Sequence, residues 1–225
     1  MSQIEGNPQL EYIDNQNTNN LPLANQVEPS QDNLIRPEDF KLLSEIYYNE
    51  GEYDIDSSQD LIYLAGNISE TTLDFIMKRI SFLMKFRTDQ EMSEPITINL
   101  NTYGGDAYEA LGIIDYLKSL PMKINMICYS KAMSAGALLL LSGTGTRKMS
   151  ENATMMLHEL SSDSVGKASD IKSNTKHIKE LENKISKILV EHSKKNLVYW
   201  QNNLAPDLYL TAKQALALGL IDEII

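Results

Sequence analysis

The sequence predicts an α/β fold with a largely parallel sheet, and two observations support this class. Short apolar or alternating runs, which are typical of strands, recur along the chain, and segments with helical spacing of apolar residues lie between them. Repeated alternation of this kind places helices against a parallel sheet. The chain has 225 residues, of which 42% are hydrophobic, so it can bury the core that this class needs.

The first predicted strand is Leu61–Leu64, an apolar run that Gly66 closes. The residues after it predict a helix, because apolar side chains recur there at three- and four-residue intervals: Leu73, Ile76, Met77, Ile80, Leu83 and Met84. Ser69 precedes this series and can cap the helix, since serine is a preferred N-cap residue.

Two further strands are predicted in the middle of the chain. Ile96–Leu100 alternates like a strand and leads to a double glycine, after which Ala107–Leu117 has helical period. Ile124–Tyr129 is the next predicted strand. Ser134–Leu141 is almost wholly apolar, which predicts a short buried helix.

The C-terminal part predicts two short strands and two helices. Residues 148–157 indicate two short strands around a turn, and one apolar stripe predicts a long helix over 169–192. Thr211 and Gln214 have the spacing of a capping box that begins the last helix, and Gly219 suits its left-handed C-cap.

Composition excludes several functional classes. The chain has 20 Lys and Arg against 31 Asp and Glu, a net charge of −11, which argues against nucleic acid or an anionic membrane as the main partner. The single cysteine, Cys128, excludes an internal disulfide and a zinc site built on several cysteines. Because no apolar run of membrane-spanning length and no secretory signal is apparent, the expected location is the cytoplasm.

Two regions of different character are expected. Residues 1–33 contain 12 Asn or Gln and are predicted to form a flexible or removable N-terminal arm, because they can bury too little apolar surface to offset their ordering entropy. Residues 34–225 are predicted to form the folded domain, within which Phe40–Tyr48 is compatible with a short helix.

Ser134 is the first candidate for chemistry. It follows a predicted strand and begins a buried helix, where the helix dipole favours negative charge. Taken alone, a serine at this position is better explained as an ordinary N-cap. Gly104-Gly105 offers a second feature, because the N–H of Gly105 and that of Ala135 could stabilise an oxyanion, although the glycines also suit an ordinary turn.

The same chemistry would need a base and a carboxylate. His158, at the end of an apolar run, is the best-placed general base, since His177 and His192 lie among Lys and Glu and are expected to be solvated. Asp207 and Asp170 are both candidates to orient that base. A turn explains Asp207 and the first turn of a helix explains Asp170, so the residues alone leave this choice open.

Four segments, in their order along the chain, resemble the proteolytic subunit of the Clp protease: ITINLNTYGGDAYEALGIIDYLKSL, MICYSKAMSAGALLLLSG, MMLHEL and DLYLTAKQALALGLIDEII. The resemblance extends over about Gly51–Ile225. It implies a crotonase-like fold of repeated ββα units and a serine peptidase that needs no metal or organic cofactor. The predicted helix over 169–192 resembles the family's handle, which interleaves two heptameric rings.

The resemblance also implies residue roles and partners. It assigns the nucleophile to Ser134, the base to His158, the orienting carboxylate to Asp207, and the oxyanion donors to Gly105 and Ala135. It implies a homo-oligomer, either one heptameric ring or two stacked rings, that cleaves unfolded or fed-in protein. The chain has no P-loop, so ATP dependence would come from a separate AAA+ unfoldase.

The sequence departs from the family pattern at four places. Tyr103 replaces a proline before the double glycine, and Glu159-Leu160 replaces Gln-Pro after the base. Residues 161–164 replace a glycine-rich stretch, and Pro206 replaces an arginine that ties the rings together. These differences favour a divergent or virus-type member, and they weaken the expectation of a double ring more than that of the chemistry.

Three alternatives remain at this point. A virus-type protease that matures capsid or scaffold protein would keep the same chemistry. A non-catalytic ring subunit would keep only the fold. An acyl-CoA hydratase or isomerase of the crotonase group would use the paired N–H groups on a thioester enolate, but that reaction needs no serine nucleophile.

Overall fold

A computed structural model describes residues 55–56, 59–85, 87–88, 91–161 and 166–225. All of them belong to one compact unit, Leu43–Ile225. The predicted N-terminal arm (residues 1–33) and the possible helix at Phe40–Tyr48 lie outside the described residues, and so do three of the four residues in the stretch 161–164.

Strands and helices alternate along the described residues, which confirms the predicted α/β class. In chain order the elements are β1 (Ile55–Asp56), β2 (Leu61–Ile68), α1 (Thr72–Lys85), β3 (Ile96–Gly105), α2 (Ala107–Ser119), β4 (Ile124–Met133), α3 (Ala135–Leu141), β5 (Arg147–Met149), β6 (Thr154–Leu157), α4 (Ala168–Glu191), α5 (Leu197–Asn203), β7 (Leu208–Thr211), α6 (Ala212–Leu218) and β8 (Glu223–Ile224).

The sheet is mainly parallel and branches at β4. Its strand order is β1-β2-β3-β4-β5-β8, in which only β1 runs antiparallel to its neighbour. The middle of β4 pairs with β5, where Met126 is opposite Arg147, whereas the end of β4 pairs with β6, where Met133 is opposite Met156. The carboxyl ends of β4 and β6 therefore lie side by side, and the residues that follow these strands meet at one place.

The core is formed by buried residues of the sheet and of all the described helices, and α1, α2 and α3 contribute most of the helical ones. Alternate residues of β3, namely Ile96, Ile98 and Leu100, are buried, as the predicted strand period requires. Every residue of α3 is buried, which confirms the prediction from its apolar sequence. None of the helices among the described residues is both long and apolar enough to cross a membrane.

Several element boundaries differ from the prediction. β2 does not stop at Gly66 but continues to Ile68, because a register shift between Ala65 and Asn67 is accommodated by Gly66 with φ +88°. The helix α1 begins at Thr72, later than an N-cap at Ser69 would place it. The sequence patterns also missed α5, β7 and β8, which are short or mix aromatic and polar residues.

The bounds of α4 and α6 follow the prediction more closely. The capping box of Thr211 and Gln214 is present at the start of α6, and Gly219 ends that helix with φ +80°. Of the apolar stripe predicted for α4, only Leu181 and Ile185 are buried, and Leu189 is buried beside them. Residues 168–177 of the same helix are all exposed.

Candidate active site

Ser134 and His158 are in direct contact. The Oγ of Ser134 lies 2.7 Å from Nε2 of His158, a hydrogen-bonding distance, and both residues are half-buried. Ser134 occupies the N-cap position of α3, but its side chain makes no capping hydrogen bond. The hydroxyl is therefore directed at an imidazole. An ordinary N-cap serine would instead bond to the helix backbone.

The branch of the sheet brings these two side chains together. Ser134 directly follows β4 and His158 directly follows β6, and the N–H of Ser134 donates to the carbonyl of Met156 at 2.8 Å. Ser134 itself has φ +54°, an uncommon value for a residue with a side chain, at the sharp turn from β4 into α3. Such strain is often found at functional sites, where the surrounding structure holds it in place.

The end of β3 is packed against the same turn. A Cβ added to Gly104, which has φ +101°, would lie 2.6 Å from the carbonyl oxygen of Met133 and 2.8 Å from Cβ of Ser134. Gly136 is equally restricted, because an added Cβ would overlap Cγ2 of Thr102. Glycine at both positions therefore lets β3 approach Ser134 and α3 closely.

Two backbone N–H groups point toward this region. Ala135 is the first residue of α3, so its N–H has no acceptor within the helix. Asp106 donates its N–H to Ile68 of β2 at 2.8 Å. Because successive residues of a strand direct their N–H groups to opposite edges, the N–H of Gly105 is directed away from β2, toward the side of β4 and Ser134.

Asp207 lies near His158 along the backbone, but its side chain is not bonded to it. β6 and β7 are antiparallel with Leu157 opposite Leu208, so one further step of the same register places His158 opposite Asp207. The Asp207 side chain is exposed and has no hydrogen bond or ion pair with the residues that the structure describes. The triad assignment of Asp207 thus stays a prediction that the strand register supports.

Asp170, the rival carboxylate, lies in the first turn of α4. It is exposed, its N–H donates to the carbonyl of Lys167, and its carboxylate accepts from the hydroxyl of Ser169 at 3.2 Å. No contact between Asp170 and His158 is present in the described part of the chain. These contacts agree with a helix-start role for Asp170.

A cavity of about 300 Å³ opens beside the Ser134–His158 pair. Its polar side includes Gly105, Asp106, Tyr108 and Glu159. Ser161 also borders the cavity, and the apolar part of the wall comes mainly from α3 and α4: Leu138, Leu157, Leu160, Ile178, Leu181, Ile185 and Leu189. An extended peptide could place an apolar side chain here while its carbonyl group lies near Ser134.

Other groups are less suited to the chemistry. Cys128 is fully buried in β4, and burial raises the pKa of its thiol to about 11, so it is not a thiolate near neutral pH. Within the described ranges, no group of three or more His, Cys, Asp or Glu side chains is arranged to hold a metal ion.

The expectation that the other two histidines are solvated holds for His177 but is wrong for His192. His192 follows the last turn of α4 and is half-buried, and this burial lowers its pKa. His177 is exposed, but its Nε2 lies 2.8 Å from the Oη of Tyr108 at the edge of the cavity. These residues are 69 positions apart in the sequence, so no local pattern could have indicated their contact.

One comparison with known proteins bears on this site. The sequence matches the family model for Clp protease over residues 52–225, which is more than half of the chain and includes every residue of the candidate site.

Proposed function

Because the chain belongs to the Clp protease family, we propose that it is a serine endopeptidase whose nucleophile is Ser134 and whose general base is His158. The observation that carries the proposal is the 2.7 Å contact between Oγ of Ser134 and Nε2 of His158 beside an apolar cavity. A serine hydroxyl is a weak nucleophile unless an adjacent base accepts its proton, and this contact provides that base.

In the proposed reaction, the Oγ of Ser134 attacks the carbonyl carbon of the scissile peptide bond while His158 Nε2 takes the hydroxyl proton. The tetrahedral intermediate collapses to an ester on Ser134, and His158 gives the proton to the departing amine. A water molecule, deprotonated by the same imidazole, then attacks the ester and releases the acid product.

The negative charge of the tetrahedral oxygen is stabilised by the N–H groups of Gly105 and Ala135. The N–H of Gly105 faces away from β2, and the N–H of Ala135 begins α3. Neither group is therefore used in the hydrogen bonds between β2 and β3 or within α3. Removal of a single donor of this kind typically costs about 10²–10³ in rate.

Asp207 is the proposed orienting carboxylate. It would accept the N–H of His158 Nδ1, which keeps Nε2 free to act as the base and supports the imidazolium that forms. The register of β6 and β7 already places the backbone of Asp207 opposite His158. The exposed side chain of Asp207 would have to rotate toward the imidazole.

We extend the proposal to assembly and partners. Residues 168–177 of α4 are all exposed, and Ile171 among them is 39% exposed, so the apolar stripe continues onto a surface that a second copy can cover. The proposed assembly is a heptameric ring, single or stacked, that receives unfolded protein from an AAA+ unfoldase in the cytoplasm. A native mass equal to that of one chain would contradict the ring.

The chemistry is tested by labelling and cleavage together. The purified protein should react with a fluorophosphonate at Ser134 and cleave a short fluorogenic peptide, and Ser134→Ala should lose both activities while keeping its fold and oligomeric state. A protein that is neither labelled nor able to cleave peptides would instead support the non-catalytic ring subunit. Hydration of an enoyl-CoA without any labelling would support the acyl-CoA alternative.

A further inference from the structure

A polar contact between α2 and α4 borders the cavity beside Ser134. The Oη of Tyr108 lies 2.8 Å from Nε2 of His177, and the two rings are stacked with centroids 5.9 Å apart and planes 13° apart. Tyr108 is in the first turn of α2, shortly after Gly105, and it lines the cavity. His177 directly precedes Ile178, which lines the same cavity from α4.

A second polar contact joins the same two helices at their carboxyl ends. The Nζ of Lys118 lies 3.1 Å from the carboxylate of Glu191. Neither of these residues is part of the cavity wall, whereas Tyr108 is. The two helices are thus bridged twice, and the bridge formed by Tyr108 and His177 is the one at the cavity.

We propose that Tyr108 and His177 form a specificity-determining pair that limits the size of the substrate side chain admitted to the cavity. This inference rests on the proposed peptidase function. Tyr108 is 57% exposed, so without a partner its ring could rotate into solvent. The hydrogen bond and the stacked His177 ring hold it at the cavity that Gly105 and α4 also line.

The chemistry of the wall indicates what the pair restricts. The inner surface is apolar, from Leu138 of α3 and from Leu181, Ile185 and Leu189 of α4, so it accepts an apolar side chain. Because Ser134 borders the same cavity, that side chain belongs to the residue on the acyl side of the scissile bond. A fixed tyrosine ring at the edge favours small and medium side chains over the bulkiest ones.

The test compares two fluorogenic peptides that differ only at that residue, alanine in one and tryptophan in the other. In Tyr108→Phe and in His177→Ala, the ratio of kcat/KM for tryptophan over alanine should rise by about five- to tenfold, within the range that pocket shape provides. The double variant should rise no further than the larger single effect, because both substitutions break the same contact.

Lys118→Met is the matched control, since it breaks the other bridge between the same helices away from the cavity. Its ratio should stay within about twofold of the wild-type ratio. Rates are normalised to the sites labelled by a fluorophosphonate. Normal labelling with an unchanged ratio in both single variants would overturn this inference alone, as would an equal shift in Lys118→Met. Loss of labelling and of all cleavage in the wild-type protein would overturn the proposed function and this inference with it.

Discussion

Ser134 and His158 differ from Asp207 in how the fold holds them. Ser134 and His158 follow two adjacent strands of the parallel sheet, and their side chains are half-buried and in contact at 2.7 Å. Asp207 precedes the strand β7 and is exposed, and its carboxylate forms no hydrogen bond or ion pair with the described residues. The sheet therefore fixes the side chains of the proposed nucleophile and base, whereas it fixes only the backbone of the proposed carboxylate.

This difference indicates where the site is preorganised. The turn that carries Ser134 is enclosed by β3, which Gly104 brings within contact of the Ser134 Cβ, and by β6, whose Met156 accepts its N–H. The exposed side chain of Asp207 must lose conformational entropy to bind His158. The proposed contact between Asp207 and His158 therefore has a free-energy cost that the existing contact between Ser134 and His158 does not have. We therefore expect substitutions of Ser134 or His158 to lower kcat by a different amount from substitution of Asp207.

The largest effect is expected for the base. His158→Gln should lower kcat by about 10⁶, and combining it with Ser134→Ala should cost little more, because the two residues act as one unit. Active-site titration and peptide turnover measure this directly. If the two losses multiplied in the double variant, the contact between Ser134 and His158 would not be a functional one.

The second prediction concerns the carboxylate. Asp207→Asn should lower kcat by about 10⁴, because an amide at this position favours the wrong tautomer of the imidazole. Its melting temperature should change little, since the exposed side chain forms no hydrogen bond or ion pair with the described residues.

Asp170→Asn is the control for that prediction. Asp170 lies in the first turn of α4, where the interaction of a carboxylate with the helix dipole stabilises the fold by about 0.3–1 kcal/mol. Its variant should therefore keep near wild-type turnover and lose a little stability. Rates and thermal melting curves of both variants decide between the carboxylates. An inactive Asp170→Asn beside an active Asp207→Asn would overturn the proposed triad.

The third prediction tests the packing around Ser134. Gly104→Ala should lower kcat by about 10²-fold, because the added Cβ would meet the carbonyl of Met133 and the side chain of Ser134 and displace the nucleophile. Gly66→Ala is the matched control, since Gly66 also has positive φ but has no atom within 4 Å of an added Cβ.

Both variants introduce a side chain at positive φ, which should cost each about 1–2 kcal/mol of stability. Gly104→Ala should lose more than Gly66→Ala, because only its added Cβ meets backbone and side-chain atoms. Only Gly104→Ala should also lose activity, as measured by kcat per labelled site. Equal activity in the two variants would show that the close approach of β3 to Ser134 does not matter for the chemistry.

The sequence predicted the parallel α/β class and most buried elements because hydrophobic period is a local property. It could not predict where strands end when polar residues continue the pairing, as at the end of β4, or that Gly66 lies within β2 and not after it. It identified Ser134, His158 and Asp207 through resemblance, since each residue alone has an ordinary structural explanation. The contact of Tyr108 with His177 depends on how α2 and α4 pack, and no spacing in the chain encodes it.

The smallest effect is expected at the far edge of the sheet, where stability should change without any change in activity. Arg147 of β5 donates its N–H and its guanidinium N–H groups to Asp222, and these hydrogen bonds lower the pKa of that carboxyl below its ordinary value of 3.8 although burial acts in the opposite direction. The stabilisation is therefore fully present above about pH 4 to 5 and is lost as the pH falls through the lowered pKa of the folded state. Asp222→Asn should reduce the free energy of unfolding by about 0.5–1 kcal/mol near neutral pH, the range of a partly exposed pair, and the difference from wild type should shrink in acid.

Urea unfolding at one protein concentration, near neutral pH and again near pH 3, measures both differences. Glu223→Gln is the control, because it removes the neighbouring ion pair with Lys148, at 2.7 Å, without touching Arg147. Glu223 makes one ion pair where Asp222 accepts several hydrogen bonds, so the control should be less destabilised than Asp222→Asn. Both variants should cleave peptides at the wild-type rate, since Arg147 and Asp222 lie outside the cavity beside Ser134. A lower kcat per labelled site in Asp222→Asn would mean that the edge formed by β5 and β8 helps to position β4 and Ser134. The position of Ser134 would then depend on this edge as well as on its contacts with β3 and β6.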